Sequence, residues 1–254
     1  MRTRIHVALL AAATLAACGK SAEDVSAELG AKAVAAMAEA KKAGDPWKAH
    51  EQLAGVLNTL TAQASCGRNF VSGMPECKGV PAATEAAVRA ELVRYEAEAI
   101  KKGEPAAIEA AYNAAAAGRD YDGATKRLPE YAPAMLAAAE RAQGTPQDAG
   151  VLYVAGLLVA GGKVTMRDSG RAVAYLARAW AAGRPQAAND AAMHFLSIND
   201  QRNAYLWSLR CTAPCARSSD VDLQRLQQAL QPAAAKQAQA AASDAAVVEL
   251  DVQS

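Results

Sequence analysis

Apolar positions along this chain keep returning at helical spacing. Leu53, Val56, Leu57 and Leu60 fall at i, i+3, i+4 and i+7, which places them on one face of a helix. Val88, Leu92, Tyr95 and Ala99 make a second stripe, and Leu223, Leu226 and Leu230 a third. No run alternates β-branched or aromatic residues with polar ones, so no sheet is expected. Breakers divide the pattern. Asp45 followed by Pro46 is an N-cap with a first-turn proline. Pro81, the Gly103-Glu104-Pro105 step, Gly118, Pro185 and Pro232 mark further boundaries. The pattern predicts helices from Asp24 or Ser26 to about Lys42, from Pro46 to just before Cys66, from Pro81 to the Gly103 step, and over 107–118. Residues 119–133 read as irregular, with a helix from Pro133 to about Gln143. Helices follow over 146–161 and 168–183, from Pro185, over 200–211, around 223–230 and from Pro232. The last ten residues read as frayed. Alanine dominates the composition, and it is the best intrinsic helix former.

One segment of this pattern occurs twice. DSGRAVAYLARA at 168–179 and DQRNAYLWSLRC at 200–211 lie 32 residues apart. Asp168 and Asp200 open them. Ala172 and Ala204 follow at the fifth position, Tyr175 and Trp207 at the eighth, Arg178 and Arg210 at the eleventh. Each Asp is placed to cap a helix, each Ala to let helices approach, each aromatic to fill the gap between them. Short turns join each such helix to the one before it, which predicts antiparallel hairpins. A single hairpin leaves an apolar face open, so a second stacks on it.

These residues resemble the Sel1-like repeats, relatives of the tetratricopeptide repeats. Ala155-Gly156, Val159, Gly162, Asp168, Ala172, Tyr175 and Ala179 follow that pattern, with Val159 in place of the usual Tyr and Val164 one place from the usual Val. The second copy keeps Ala191-Ala192, Phe195, Asp200, Ala204 and Trp207, with a turn four residues shorter. The resemblance implies an all-α fold of antiparallel helix hairpins stacked as a short α-α superhelix, and a role in assembling other proteins. The expected organisation is a leader at 1–17, a helical region at 18–145 with a cysteine loop at 66–77, the repeats at 146–215, and closing helices with a frayed tail at 216–254.

The first residues carry a separate message. Arg2 and Arg4 precede the apolar run VALLAAATLAA at 7–17. At 1.5 Å per residue that run is too short for a hydrocarbon core of about 30 Å, and it has the length of a signal-peptide core. Leu15-Ala16-Ala17-Cys18 then resembles the lipobox of bacterial lipoproteins. That resemblance implies cleavage before Cys18, with a diacylglycerol on its sulfur and a membrane anchor. Gly19 in place of the inner-membrane retention Asp implies an outer-membrane, periplasm-facing location. Residues 1–17 hold two of the 27 basic residues and none of the 26 acidic ones, so the mature chain carries a formal charge of −1 with His neutral. Nothing in that balance favours nucleic acid as a partner.

Export makes disulfides the first expectation for Cys66, Cys77, Cys211 and Cys215, with three connectivities open. Local pairing, 66 with 77 and 211 with 215, is the expected one. Gly67, Gly73 and Pro75 make the first span a loop. A bridge at 211–215 requires the helix to end near Cys211, because Cβ atoms four apart in a regular helix are wider apart than a disulfide allows. The histidines left after cleavage, His50 and His194, each stand alone in a helix, and no zinc-protease, nucleophile-elbow or phosphate-loop motif occurs. No enzyme activity, cofactor or metal is therefore expected. The expected function is a membrane-anchored scaffold for an unidentified envelope protein. The alternative is an envelope glycan-binding, penicillin-binding or β-lactamase-like Sel1 protein.

Overall fold

A computed structural model describes residues 22–65, 79–118, 123–212, 215 and 221–251. The leader, Cys18, Cys66, Cys77 and Pro214 lie outside the described residues. Every regular element among the described residues is helical: eleven α-helices and one 3-10 turn. Contacts divide the chain into two units at Glu96/Ala97, a point inside α3 (Ala82–Lys102).

The first unit holds α1 (Ala22–Ala40), α2 (Pro46–Ser65) and the larger part of α3. The Asp45 carboxylate accepts from the backbone N–H of Trp47 at 2.9 Å and of Lys48 at 3.0 Å, which starts α2 where Pro46 supplies a helical φ. Leu29 and Ala33 of α1, Leu53, Leu57 and Leu60 of α2, and Val88 and Tyr95 of α3 make its core. Val56 and Leu92, from the same stripes, pack at the margin of that core.

The second unit contains α4 (Pro105–Ala116), α5 (Ala124–Arg141), the 3-10 turn Pro146–Asp148, α6 (Ala149–Gly161), α7 (Ser169–Ala181), α8 (Gln186–Ser197), α9 (Gln201–Arg210), α10 (Leu223–Ala229) and α11 (Pro232–Ala241). Packing follows chain order. Helix α4 lies against α5 and α6, α6 against α7, α7 against α8, α8 against α9, and α9 against α10 and α11. Helix α6 is apolar on nearly every side and is the central element. Val151, Leu152, Val154, Ala155, Leu158 and Val159 are all buried, as an all-round apolar helix requires.

Two segments depart from the sequence reading. The segment read as irregular before Pro133 is helical from Ala124, and α5 carries both Pro129 and Pro133 in its interior. Each proline removes one backbone donor. Both stand on the exposed side of α5. The opposite side buries Tyr131, Ala132, Met135 and Ala139, and that burial holds the helix. The tail also differs. Residues 242–251 lie along α9 instead of fraying, because polar side chains of α9 take up their backbone groups.

Candidate functional site

The polar groups that stand out against this alanine-rich packing converge from α4, α6 and α8. Glu109 and Tyr112 are one turn apart on α4. Tyr153 is the one polar side chain of α6 (AGVLYVAGLLVAG), and Asp190 the one acid of α8. The Tyr153 hydroxyl donates to Asp190 Oδ2 at 2.7 Å. Arg184, in the turn before α8, lies with its guanidinium 4.8 Å from the centre of the Tyr153 ring. Its Nη1 is 3.3 Å from Glu109 Oε2, an ion pair across α4 and the α7–α8 turn. Glu109 reaches this position because residue 150 is glycine. A Cβ there would stand 1.5 Å from Glu109 Oε1, so the carboxylate rests on the bare backbone of α6.

Burial raises the Tyr153 hydroxyl above its ordinary range, and the bond to Asp190 and its charge raise it further. Tyr112 is raised as well, by burial first and by the Asp190 charge second. Burial also raises Asp190, while the Tyr153 bond and the Arg184 charge act against that. The phenol thus keeps its proton and donates it in a hydrogen bond. The face thus carries a phenol bonded to a carboxylate, a guanidinium stacked on the phenol ring and paired with a second carboxylate, and a second tyrosine, all half-buried. Next to Asp190, the Oδ1 of Asn189 is buried and finds no hydrogen-bond partner among the described residues. Met193, one turn further along α8, is 42% exposed.

The residues of the two matching segments, and Gly156, are placed in the packing and outside this face. Asp168 accepts from the Arg171 N–H at 2.9 Å, and Asp200 from the Asn203 N–H at 3.0 Å, each starting its helix. Ala172 and Ala204 are fully buried, and so, to within a few per cent, are Tyr175 and Trp207. The Tyr175 hydroxyl donates to Glu140 of α5, and Trp207 Nε1 to the Val248 carbonyl at 3.0 Å. Gly156 lets α6 approach α7. Cys211 and Cys215 are bonded to each other, with Cα atoms 5.2 Å apart, just past the end of α9. Cys18, Cys66 and Cys77 fall outside the described residues. Glu109, Tyr112, Tyr153, Arg184 and Asp190 belong to no motif in the sequence. Their signal is there in part: a lone hydroxyl in an apolar helix must find a partner when buried.

His194 of α8 is 6% exposed, its ring edge-on to Phe195 and its Nε2 buried with no partner among the described residues. Burial, and then the Arg167 charge, hold its pKa below the ordinary value. A depressed folded pKa makes the unfolded chain bind the proton first. The stability that neutral His194 supports is therefore present above its unfolded pKa of about 6.5 and is lost as pH falls below it. Thermal melts between pH 7.5 and 5.5 should show a smaller fall in Tm for His194→Gln than for the wild type, and equal falls would count against this account.

Among the described residues, no group of three or more His, Cys, Asp or Glu is placed to hold a metal ion. No described helix is long and apolar enough to cross a membrane. No family model matches the chain, and comparisons with curated proteins and with solved structures likewise find no match.

Proposed function

We propose that this chain is a lipid-anchored scaffold of the bacterial envelope, held to the outer membrane through Cys18, that docks another protein on the face formed by α4, α6 and α8. The observation that carries the docking reading is the convergence of Glu109, Tyr112, Tyr153, Arg184 and Asp190 from α4, α6, the α7–α8 turn and α8 onto one half-buried surface. Arg and Tyr are the residue types that contribute most to protein interfaces when their surroundings exclude water. A Sel1-like superhelix suits this reading. The α6/α7 and α8/α9 pairs recur at a 32-residue interval with the same Asp caps and buried alanines. Stacked pairs of this kind offer an extended face to a partner. The anchor rests on Leu15-Ala16-Ala17-Cys18. Two or more acyl chains, at about 0.8 kcal/mol per buried methylene, hold a protein on a membrane.

One experiment on whole envelopes tests both halves. Cells are fed a clickable fatty acid, crosslinked, and the protein is recovered. The label should appear on the wild type and be lost in Cys18→Ser. A single protein should accompany the wild type and be lost with Arg184→Glu, a variant that reverses the central cation and whose helical content is checked by circular dichroism. Label on both forms of residue 18 would overturn the anchor. Recovery of glycan in place of protein, or equal recovery with Arg184→Glu, would overturn the docking face.

A further inference from the structure

Helix α9 turns a row of polar side chains toward the tail, and the row binds main chain. Asn203, Trp207 and Arg210 stand at i, i+4 and i+7, one face of the helix. Asn203 is 2% exposed. Its Nδ2 donates to the Leu250 carbonyl at 3.2 Å, and its Oδ1 accepts from the Leu250 N–H at 2.7 Å. One side-chain amide thus satisfies both backbone groups of one residue. Trp207 Nε1 donates to Val248 O at 3.0 Å. Arg210 Nη2 donates to Asp244 O at 2.6 Å and Val247 O at 2.7 Å, and its Nε to Ala242 O at 3.2 Å. Arg202 Nη1 donates to Asp251 O at 2.7 Å. The tail therefore runs antiparallel to α9, with 244–247 at its C-terminal end and 251 at its N-terminal end. The Arg210 guanidinium is held in place by the rings of Trp207 at 4.4 Å and Trp180 at 4.9 Å.

These contacts are almost independent of what the tail side chains are. Among 243–251 only Leu250 is buried, and the segment has no regular secondary structure after Ala241. The tail makes a turn over Arg210, where the Val247 N–H donates to Asp244 O at 3.3 Å, and then runs on over 248–251 without helix or turn, so the row holds the occupant by its backbone and reads one apolar side chain. We infer that the α9 groove is a peptide-binding site for a segment that turns over Arg210 and then runs past Trp207 and Asn203 with a leucine-sized residue at the Asn203 position, and that residues 244–251 are its resident occupant. The inference is independent of the α4/α6/α8 face. A tethered tail holds its site at an effective concentration of about millimolar. A segment of a partner protein enters once it outcompetes that tail or once the tail is released.

The probe is a fluorescein-labelled synthetic peptide of residues 243–254, titrated against the full chain and followed by anisotropy. Leu250→Asp, which withdraws the one buried tail side chain and leaves the groove intact, should bind the peptide at least ten-fold more tightly than the wild type does. Leu250→Ala should fall between them. A peptide carrying the Leu250→Asp change should bind the Leu250→Asp protein at least ten-fold more weakly, and so should the normal peptide once Asn203→Ala is added to that protein. Circular dichroism identifies the variants that keep the helical content of the wild type. If either folded Leu250 variant fails to bind 1 mM peptide, or binds it no more tightly than the wild type, the groove is only a clamp for its own tail and the inference is wrong.

Discussion

Trp207→Ala should lower the stability of the second unit by about 3–5 kcal/mol, the cost of truncating a large buried aromatic. Three losses act together at this side chain. The indole is fully buried. It packs edge-on against Trp180 with ring centres 5.8 Å apart, and it carries the Arg210 guanidinium on its face. Its Nε1 holds the Val248 carbonyl. Asp200→Ala removes only the cap on the Asn203 N–H and should cost about 1 kcal/mol. Melting curves should therefore rank Trp207→Ala well below Asp200→Ala. Because α9 packs against α8, α10 and α11, hydrogen exchange on Trp207→Ala should lose protection at α8, α9, α11 and the tail before α1 and α2. A Trp207→Ala protein that melts with Asp200→Ala would mean that the indole is not the keystone of this layer.

Gly156→Val should cost about 1–3 kcal/mol through overpacking. A Cβ at Gly156 would lie 2.7 Å from Leu176 Cγ and 3.3 Å from the Ala172 carbonyl, so α6 would have to retreat from α7. The neighbouring glycine gives the control. Nothing lies within 4 Å of a Cβ at Gly161, and Gly161→Ala should be neutral or stabilising by up to about 1 kcal/mol, the helix-propensity difference. Chemical denaturation should give opposite signs for the two variants. The same sign for both would remove the close approach of α6 and α7 as the reason for a glycine at 156.

The helical architecture is legible in the sequence because it follows from local rules. Leu53, Leu57 and Leu60 are spaced for one face and are found in one core. Asp45, Asp168 and Asp200 sit where caps belong and accept the expected backbone N–H groups. The rules fail where a distant contact decides. Pro129 and Pro133 oppose a helix locally, and α5 forms because Tyr131 and Met135 are buried on its other side. The tail reads as frayed because its own residues offer it only a short turn at 244–247, while Asn203, Trp207 and Arg210, more than thirty residues earlier, hold it along α9. The candidate face is the least legible part. Glu109, Tyr153, Arg184 and Asp190 come from separate elements, and their spacing along the chain carries no period. Tyr153, the lone hydroxyl of an apolar helix, and Gly150 hint at it, and the reason for that glycine is the carboxylate of Glu109, which a reader of the sequence has no way to place there.

Photo-crosslinking from the candidate face tests the scaffold reading most directly. Met193 is exposed one turn from Asn189 and Asp190, and Leu223 is exposed on α10. Met193→p-benzoylphenylalanine in intact cells should yield one adduct with a second protein on irradiation. The adduct should vanish when Arg184→Glu is added, and the same amino acid at Leu223 should not give it. A folded, membrane-associated chain that gives no protein adduct from residue 193, or gives the same adducts from residues 193 and 223, would contradict the account.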